Sequence, residues 1–337
     1  MRLVKGLTTI LLSMGLIAAG ASGAGAADPV KIRAGWVATP ASLIPILFAK
    51  PGLAKHDGVT YKFEPVFIGG SPPQITALAA GELEIATLNF ASFPIAVENA
   101  GLGDLKIIAD ETQDGYQDYA TAEYMVLKDS PYKKPEDLKG KTMAVNVLGA
   151  GVDLGMRAYL LKYKMEYKRD YNTVEVPFPN MKAVLLEHKV DLITGALPFI
   201  YDPELVEKAR VLFTLKDALN GTELSFWLVR GAFLEKNRAA LVDLLEDMVR
   251  SYRFYSNPAN HKEAVEILAK FTKRPVEGMD WAFTKKDTYR DPNGLPDVEM
   301  MQHNIDTVYK LGFIKAPLDA TKYLDLSLVK EAAARLK

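Results

Sequence analysis

The chemistry this chain can offer a small solute sits in ten loop residues. Trp36, Thr39 and Ser71, with Asn89, Phe90 and Ser92, lie at strand ends and helix starts in the first part of the chain; Asn146, Gly149, Gly151 and Phe199 do so in the second. Aromatic rings provide apolar walls, while hydroxyls, amides and loop N–H groups donate hydrogen bonds to an oxyanion. No histidine falls in these loops and the chain has no cysteine, so neither a general base nor a thiol accompanies them. No catalytic residue is expected. The loops at residues 36–42, 69–74, 89–94, 146–152 and 195–199 also lack Arg and Lys, so an anion there would be held mainly by dipoles.

Each residue has a plainer role open to it. Trp36 is a core side chain or a stacking wall. Gly149 and Gly151 let the backbone approach a ligand, or only let a strand turn into a helix. No Gly-Lys-Ser/Thr follows them, so the loop is not a phosphate-binding P-loop. The histidines His56, His188, His261 and His303 show no ligand spacing, and neither a metal site nor a cofactor is expected.

Regular elements must present these loops. Between Phe67 and Pro94 an apolar strand ends at Gly69-Gly70-Ser71-Pro72-Pro73, Ile75, Leu78 and Ala79 recur at helical spacing, and Gly81 stops the helix. A short strand, Leu83 to Leu88, then delivers Asn89. In open α/β sheets ligands sit beyond the carboxyl ends of strands, beside helix N-termini. A shift of 107 residues lays Gln74–Phe90 over Met181–Leu197, with Leu83-Glu84-Ile85-Ala86-Thr87 on Val190-Asp191-Leu192-Ile193-Thr194. Each copy has its own preceding strand and loop, so two similar α/β lobes facing each other are expected.

Residues 1–27 read as a secretory signal peptide: Arg2 and Lys5, an apolar run too short to span a bilayer, then Ala24-Gly25-Ala26-Ala27. Its removal takes two cations from 41 and none of the 42 acidic residues. The resulting slight negative charge, without any basic block, gives no footprint for nucleic acid. The segment Asp110–Tyr119 is acidic and reads as a solvated connection, with Tyr116 and Tyr119 able to overhang the cleft. Strands at 123–127 and 222–230 are expected to pair as two crossings between lobes, making a hinge. An amphipathic helix over 233–256 and further helices near 260–271, 296–311 and 326–336 are expected to pad the first lobe.

The strand ending in Ser130-Pro131, followed by Pro135-Glu136-Asp137-Leu138-Lys139-Gly140-Lys141 and a strand opening into a Gly-rich helix start, resembles the periplasmic substrate-binding proteins of nitrate/sulfonate/bicarbonate (taurine-type) ABC importers. Gly81-Glu82-Leu83-Glu84-Ile85-Ala86 and the tail Leu311-Gly312-Phe313-Ile314 to Tyr323-Leu324-Asp325-Leu326 are similar to the same family. The resemblance covers nearly the whole chain after residue 27. It implies a two-lobed α/β binding protein of type II-like architecture, with residues 28–122 and 224–337 as lobe 1, 123–223 as lobe 2, and extra C-terminal helices on lobe 1. It also implies a monomer in the periplasm that binds a small-molecule ligand, delivers it to a cognate ABC permease in the inner membrane, and is not an enzyme. The aromatic walls favour an organic sulfonate or aromatic carboxylate over nitrate or bicarbonate. A neutral or cationic heterocycle, such as a thiamine pyrimidine precursor, is the alternative, with Asp114, Asp118 and Glu223 as contacts to an amine. The same fold resembles biosynthetic enzymes as well.

Overall fold

The computed structural model describes residues 28–337; the expected signal peptide lies outside them. Chain order is β1 (Val30–Trp36), β2 (Tyr61–Phe67), α1 (Ser71–Ala79), β3 (Ala86–Asn89), α2 (Ser92–Asn99), β4 (Leu105–Asp114), β5 (Glu123–Leu127), β6 (Thr142–Val145), α3 (Gly151–Lys162) and β7 (Asn172–Glu175). It continues through α4 (Met181–Leu186), β8 (Leu192–Gly195), α5 (Pro203–Lys208), β9 (Ala209–Thr214), α6 (Leu215–Leu219), β10 (Thr222–Arg230), α7 (Gly231–Ser256), α8 (His261–Thr272), α9 (Val298–Lys310) and α10 (Ser327–Ala334).

Two sheets result, built to one plan. The second has the order β7-β6-β8-β5-β9, with β6 parallel to β7 and β8, and β5 antiparallel to β8 and β9. In the first, β1 pairs parallel with β2 and touches the β3 segment through Ala34 and Ile85, while β10 runs antiparallel between β3 and β4. Read as β2-β1-β3-β10-β4, it repeats the second sheet strand for strand. The repeat at 107 residues is this correspondence: α1 and β3 of one lobe match the 178–186 turn and helix and β8 of the other.

The crossings differ from expectation in one respect. β5 does not pair with β10; it enters the second sheet, and β10 instead pairs with β4, Thr222 against Asp114 and Glu223 against Gln113. Each crossing strand is thus the strand that completes the sheet it arrives in, since antiparallel insertion gives it two partners for its backbone groups. β10 is already in register at Thr222, ahead of the expected boundary at 224. Residues 110–114, expected to be solvated, are the buried end of β4. They stay strand because a C-terminal segment pairs with them: the Gln113 and Tyr289 N–H groups donate to one another's carbonyls at 2.8 and 3.0 Å. Tyr116 and Tyr119 pack on Tyr289 rather than over the cleft.

Packing follows the apolar pattern. The α7 stripe Leu241, Leu244, Leu245, Met248, Val249 and Tyr252 is buried as its helical spacing predicts, and each such side chain contributes about 1.5–3 kcal/mol. α9 does more than pad: Asn304 accepts from the Glu223 N–H at 3.0 Å and donates to the Gly221 carbonyl at 3.1 Å, clamping the second crossing. After β1 the chain forms only a 3-10 turn, Ile44–Ile46, with Pro45 in it.

Candidate ligand-binding cleft

A cavity of about 150 Å³ lies between the lobes. The first lobe contributes Ser42 from the loop after β1, Gly70 and Ser71 at the start of α1, and Thr87 and Asn89 at the end of β3. The second contributes Asn146, Gly151 and Val152 around the start of α3, with Phe178 and Leu197 as apolar walls. The crossings supply Glu111, Thr112 and Asp114 from β4 and Ser225 from β10, and Thr288 comes from the C-terminal segment. No Lys, Arg or His is among the lining residues.

Four of the ten loop residues expected at the site meet here: Ser71, Asn89, Asn146 and Gly151. The other six stand elsewhere. Trp36 packs edge-on against Phe67 and Phe271, with ring centroids 4.8 and 5.9 Å apart, and does not line the cavity. Phe90 is a core ring behind the cleft wall, and Ser92 and Thr39 are buried with hydroxyls that find no partner. The Gly149 N–H donates to the Asp153 carboxylate at 2.8 Å, so its left-handed turn serves to cap α3. Phe199 stacks on Phe178 at 6.4 Å, one ring behind the wall.

Local sequence determines how much donor capacity the three helix starts retain. α1 begins Ser71-Pro72-Pro73, and two prolines leave only the Ser71 N–H unpartnered before Gln74 bonds back to Gly70 at 3.4 Å. At α2 the Asn89 side-chain oxygen accepts from the Ala91 and Ser92 N–H groups at 3.0 and 2.8 Å, while its amide donates to the Ser71 hydroxyl at 3.0 Å. Only α3 presents a run of N–H groups, at Gly151, Val152 and Asp153, ahead of the first helical bond from Leu154 to Ala150. Asp153 is itself buried in the first turn and paired with Arg157 at 2.7 Å.

The acceptors are stronger. Glu111 is 3% exposed and accepts from the Ser42 hydroxyl and, at 3.0 Å, from the Ser225 hydroxyl. Burial pushes its carboxyl up to about 7 against the lowering effect of these two bonds. Asp114 accepts from the Thr121 hydroxyl and the Ala122 N–H, and burial pushes it up to about 6. The Asn146 side-chain oxygen has no partner. Sequence reasoning missed Ser42, Glu111, Thr112 and Ser225. The signal for Glu111 and Thr112 was the unbroken run from Leu105 to Asp114 with no glycine or proline, which is long enough for a strand to continue into the polar stretch.

His56, Glu246 and Asp247 also come together, away from the cleft. Arg250 pairs with both carboxylates, and Asp247 further accepts from the Tyr61 hydroxyl at 2.7 Å and the His56 N–H at 2.8 Å. The cluster is accounted for as a knot between α7 and the loop before β2.

Two similar α/β lobes, joined by two crossings with a small cavity between them, define a bilobal α/β fold. The model of the NMT1-like family matches residues 25–269, and the chain belongs to that family. A search of curated protein sequences gives no match. Among solved structures the chain is similar to the periplasmic aliphatic sulphonate binding protein SsuA from Escherichia coli, at 19% identity and TM-score 0.67, over 88% of this chain and 92% of that one. It is similar to the periplasmic nitrate-binding protein NrtA from Synechocystis PCC 6803, at 17% identity and TM-score 0.69, over 92% and 89%. The desulfurization enzyme DSZB shares the fold too, at 12% identity and TM-score 0.63, over 91% and 100%. At these identities the likeness shows the fold alone.

Proposed function

We propose that this chain is the periplasmic solute-binding component of an ABC importer, exported by a signal peptide at residues 1–27. It would act as a monomer that captures a small organic molecule between lobe 1 and lobe 2 and presents it to an inner-membrane permease. The observation that supports this reading is the cavity itself: both lobes and both crossings wall it, so a bound solute stabilises the closed arrangement through contacts unavailable when the lobes part. Transport of this kind needs no chemistry.

Two ligand classes have an observation in their favour. An organic sulfonate or aromatic carboxylate would use the free N–H groups at the start of α3, with Phe178 and Leu197 against its apolar body. A neutral or cationic heterocycle would use Glu111, Asp114 and the unpartnered Asn146 oxygen. Native mass spectrometry of the protein from its periplasm tests the function. A small molecule that co-purifies, is released unchanged, and raises the melting temperature on re-addition supports transport. Conversion of that molecule by the protein would make it an enzyme and end the reading.

A further inference from the structure

We infer that Glu111, steadied by Ser42 and Ser225, is the residue that selects the ligand, and that it seats a headgroup rich in N–H donors such as an amidinium or a primary ammonium. The inference rests on the solute-binding reading and deepens it. A carboxylate offers about four acceptor positions, and two of those on Glu111 are taken by one serine hydroxyl on each oxygen. The rest remain for whatever fills the cavity that Glu111 lines. The nearest cation does not neutralise it. Arg290 spends its guanidinium on backbone carbonyls instead, donating to Glu111 at 2.9 Å, Pro40 at 3.0 Å and Ala41 at 2.8 Å. It thereby fixes the loop that carries Ser42 and leaves the carboxylate without an ionic partner.

The rest of the wall points the same way. The prolines leave the start of α1 a single free N–H, at Ser71, and Asn89 occupies the Ala91 and Ser92 N–H groups at α2. Asp114 and the Asn146 oxygen add two further acceptors to the same cavity. An anion would therefore meet two carboxylates against one helix start. A donor-bearing headgroup would instead satisfy Glu111 with charge-assisted hydrogen bonds, the strong kind in a water-poor site.

One aromatic ring carried on five headgroups separates the possibilities: benzamidine, benzylamine, benzamide, benzoate and benzenesulfonate, titrated calorimetrically into the ligand-stripped full-length mature protein. Benzamidine and benzylamine are expected to bind wild type, and Glu111→Gln, still melting cooperatively, to weaken them by roughly 10- to 100-fold. Benzoate or benzenesulfonate binding wild type in preference to the cations overturns the inference with no variant needed, and leaves the solute-binding reading standing. So does unaltered cation binding by Glu111→Gln, or a co-purified ligand with no N–H donor. Failure of all five probes together with the absence of any co-purified molecule would overturn the solute-binding reading itself, and the inference with it.

Discussion

The carboxyl groups of Asp110 on β4 and Glu223 on β10 meet between the strands that join the lobes, each with one oxygen held by a backbone N–H of the C-terminal segment. Asp291 donates to Asp110 at 2.9 Å and Asp297 donates to Glu223 at 2.8 Å. The other oxygen of each, Oδ1 of Asp110 and Oε1 of Glu223, has no other partner, and a single proton shared between the two acids would satisfy both. Burial pushes Asp110 up to about 7, and burial with the Asp110 charge raises Glu223 well above the usual carboxylate range.

A raised acid pKa means the folded chain holds a proton that the unfolded chain has released. Stability is then fully present below the ordinary carboxylate range and declines as pH rises toward about 7. Glu111 and Asp114 add to the same slope. Wild type is expected to melt progressively lower between pH 5 and pH 8. Glu223→Gln, whose amide can donate to Asp110 permanently, should flatten that decline and be the more stable form at pH 8. Thermal melts across the range decide it, and equal slopes for the two proteins would mean that no proton is shared.

Gly35 is required by a hydrogen bond two elements away. A Cβ on it would lie 2.4 Å from the Gln74 side-chain oxygen, which accepts from the Thr87 N–H at 2.8 Å and sits on α1 beside Ser71. Gly35→Ala must push Gln74 off Thr87, an overpacking of about 1–3 kcal/mol, and tilt the start of α1. A lower melting temperature and weaker ligand binding together are expected. A variant as stable as wild type would show that Gln74 relaxes freely.

Much of the fold could be read from the residues because its determinants are local. The alternation of strand and helix, the repeat at 107 residues and the stripe on α7 are all set within a few turns of chain. The pairing of β10 was harder, since the polar end of β4, its partner, is covered by residues 289–294 far along the chain. The site divides the same way. Ser71, Asn89, Asn146 and Gly151 follow from the rule that strand ends and helix starts face the cleft. Trp36 obeys the rule in sequence but spends its ring on Phe67 and Phe271. Glu111 lay hidden in a run of acids that resembles a solvated loop until the C-terminal segment covers it.

The protonation state of Glu111 also gives ligand binding a pH dependence opposite to that of stability. Asp110 and Asp114 from β4, Arg290 from the C-terminal segment and Tyr252 from α7 are the charged or titratable groups acting on it or sharing its cavity wall. Below about 7 the unliganded carboxyl is increasingly protonated, so an amidinium must displace that proton, and its affinity should fall as the pH is lowered from 8 to 5.5. An anion would show the reverse. Because Asp114 titrates in the same range, isothermal titration of wild type and Glu111→Gln at each pH isolates the part due to Glu111.

Outside the cavity, residues of the 199–201 turn also touch the C-terminal segment. The Tyr201 hydroxyl donates to the Lys286 carbonyl at 2.7 Å, its ring lies 4.9 Å from that of Trp281, and Arg274 stands over the Phe199 ring at 5.8 Å. Opening the cleft would break all three, whereas none touches the cavity. Tyr201→Phe removes one neutral hydrogen bond from the closed state, worth about 0.5–1.5 kcal/mol, so ligand affinity should drop by roughly two- to tenfold. The loss should appear as faster release, with the association rate nearly unchanged. Stopped-flow tryptophan fluorescence follows both rates, and a Tyr201→Phe protein that releases its ligand at the wild-type rate would show that these contacts do not hold the lobes together.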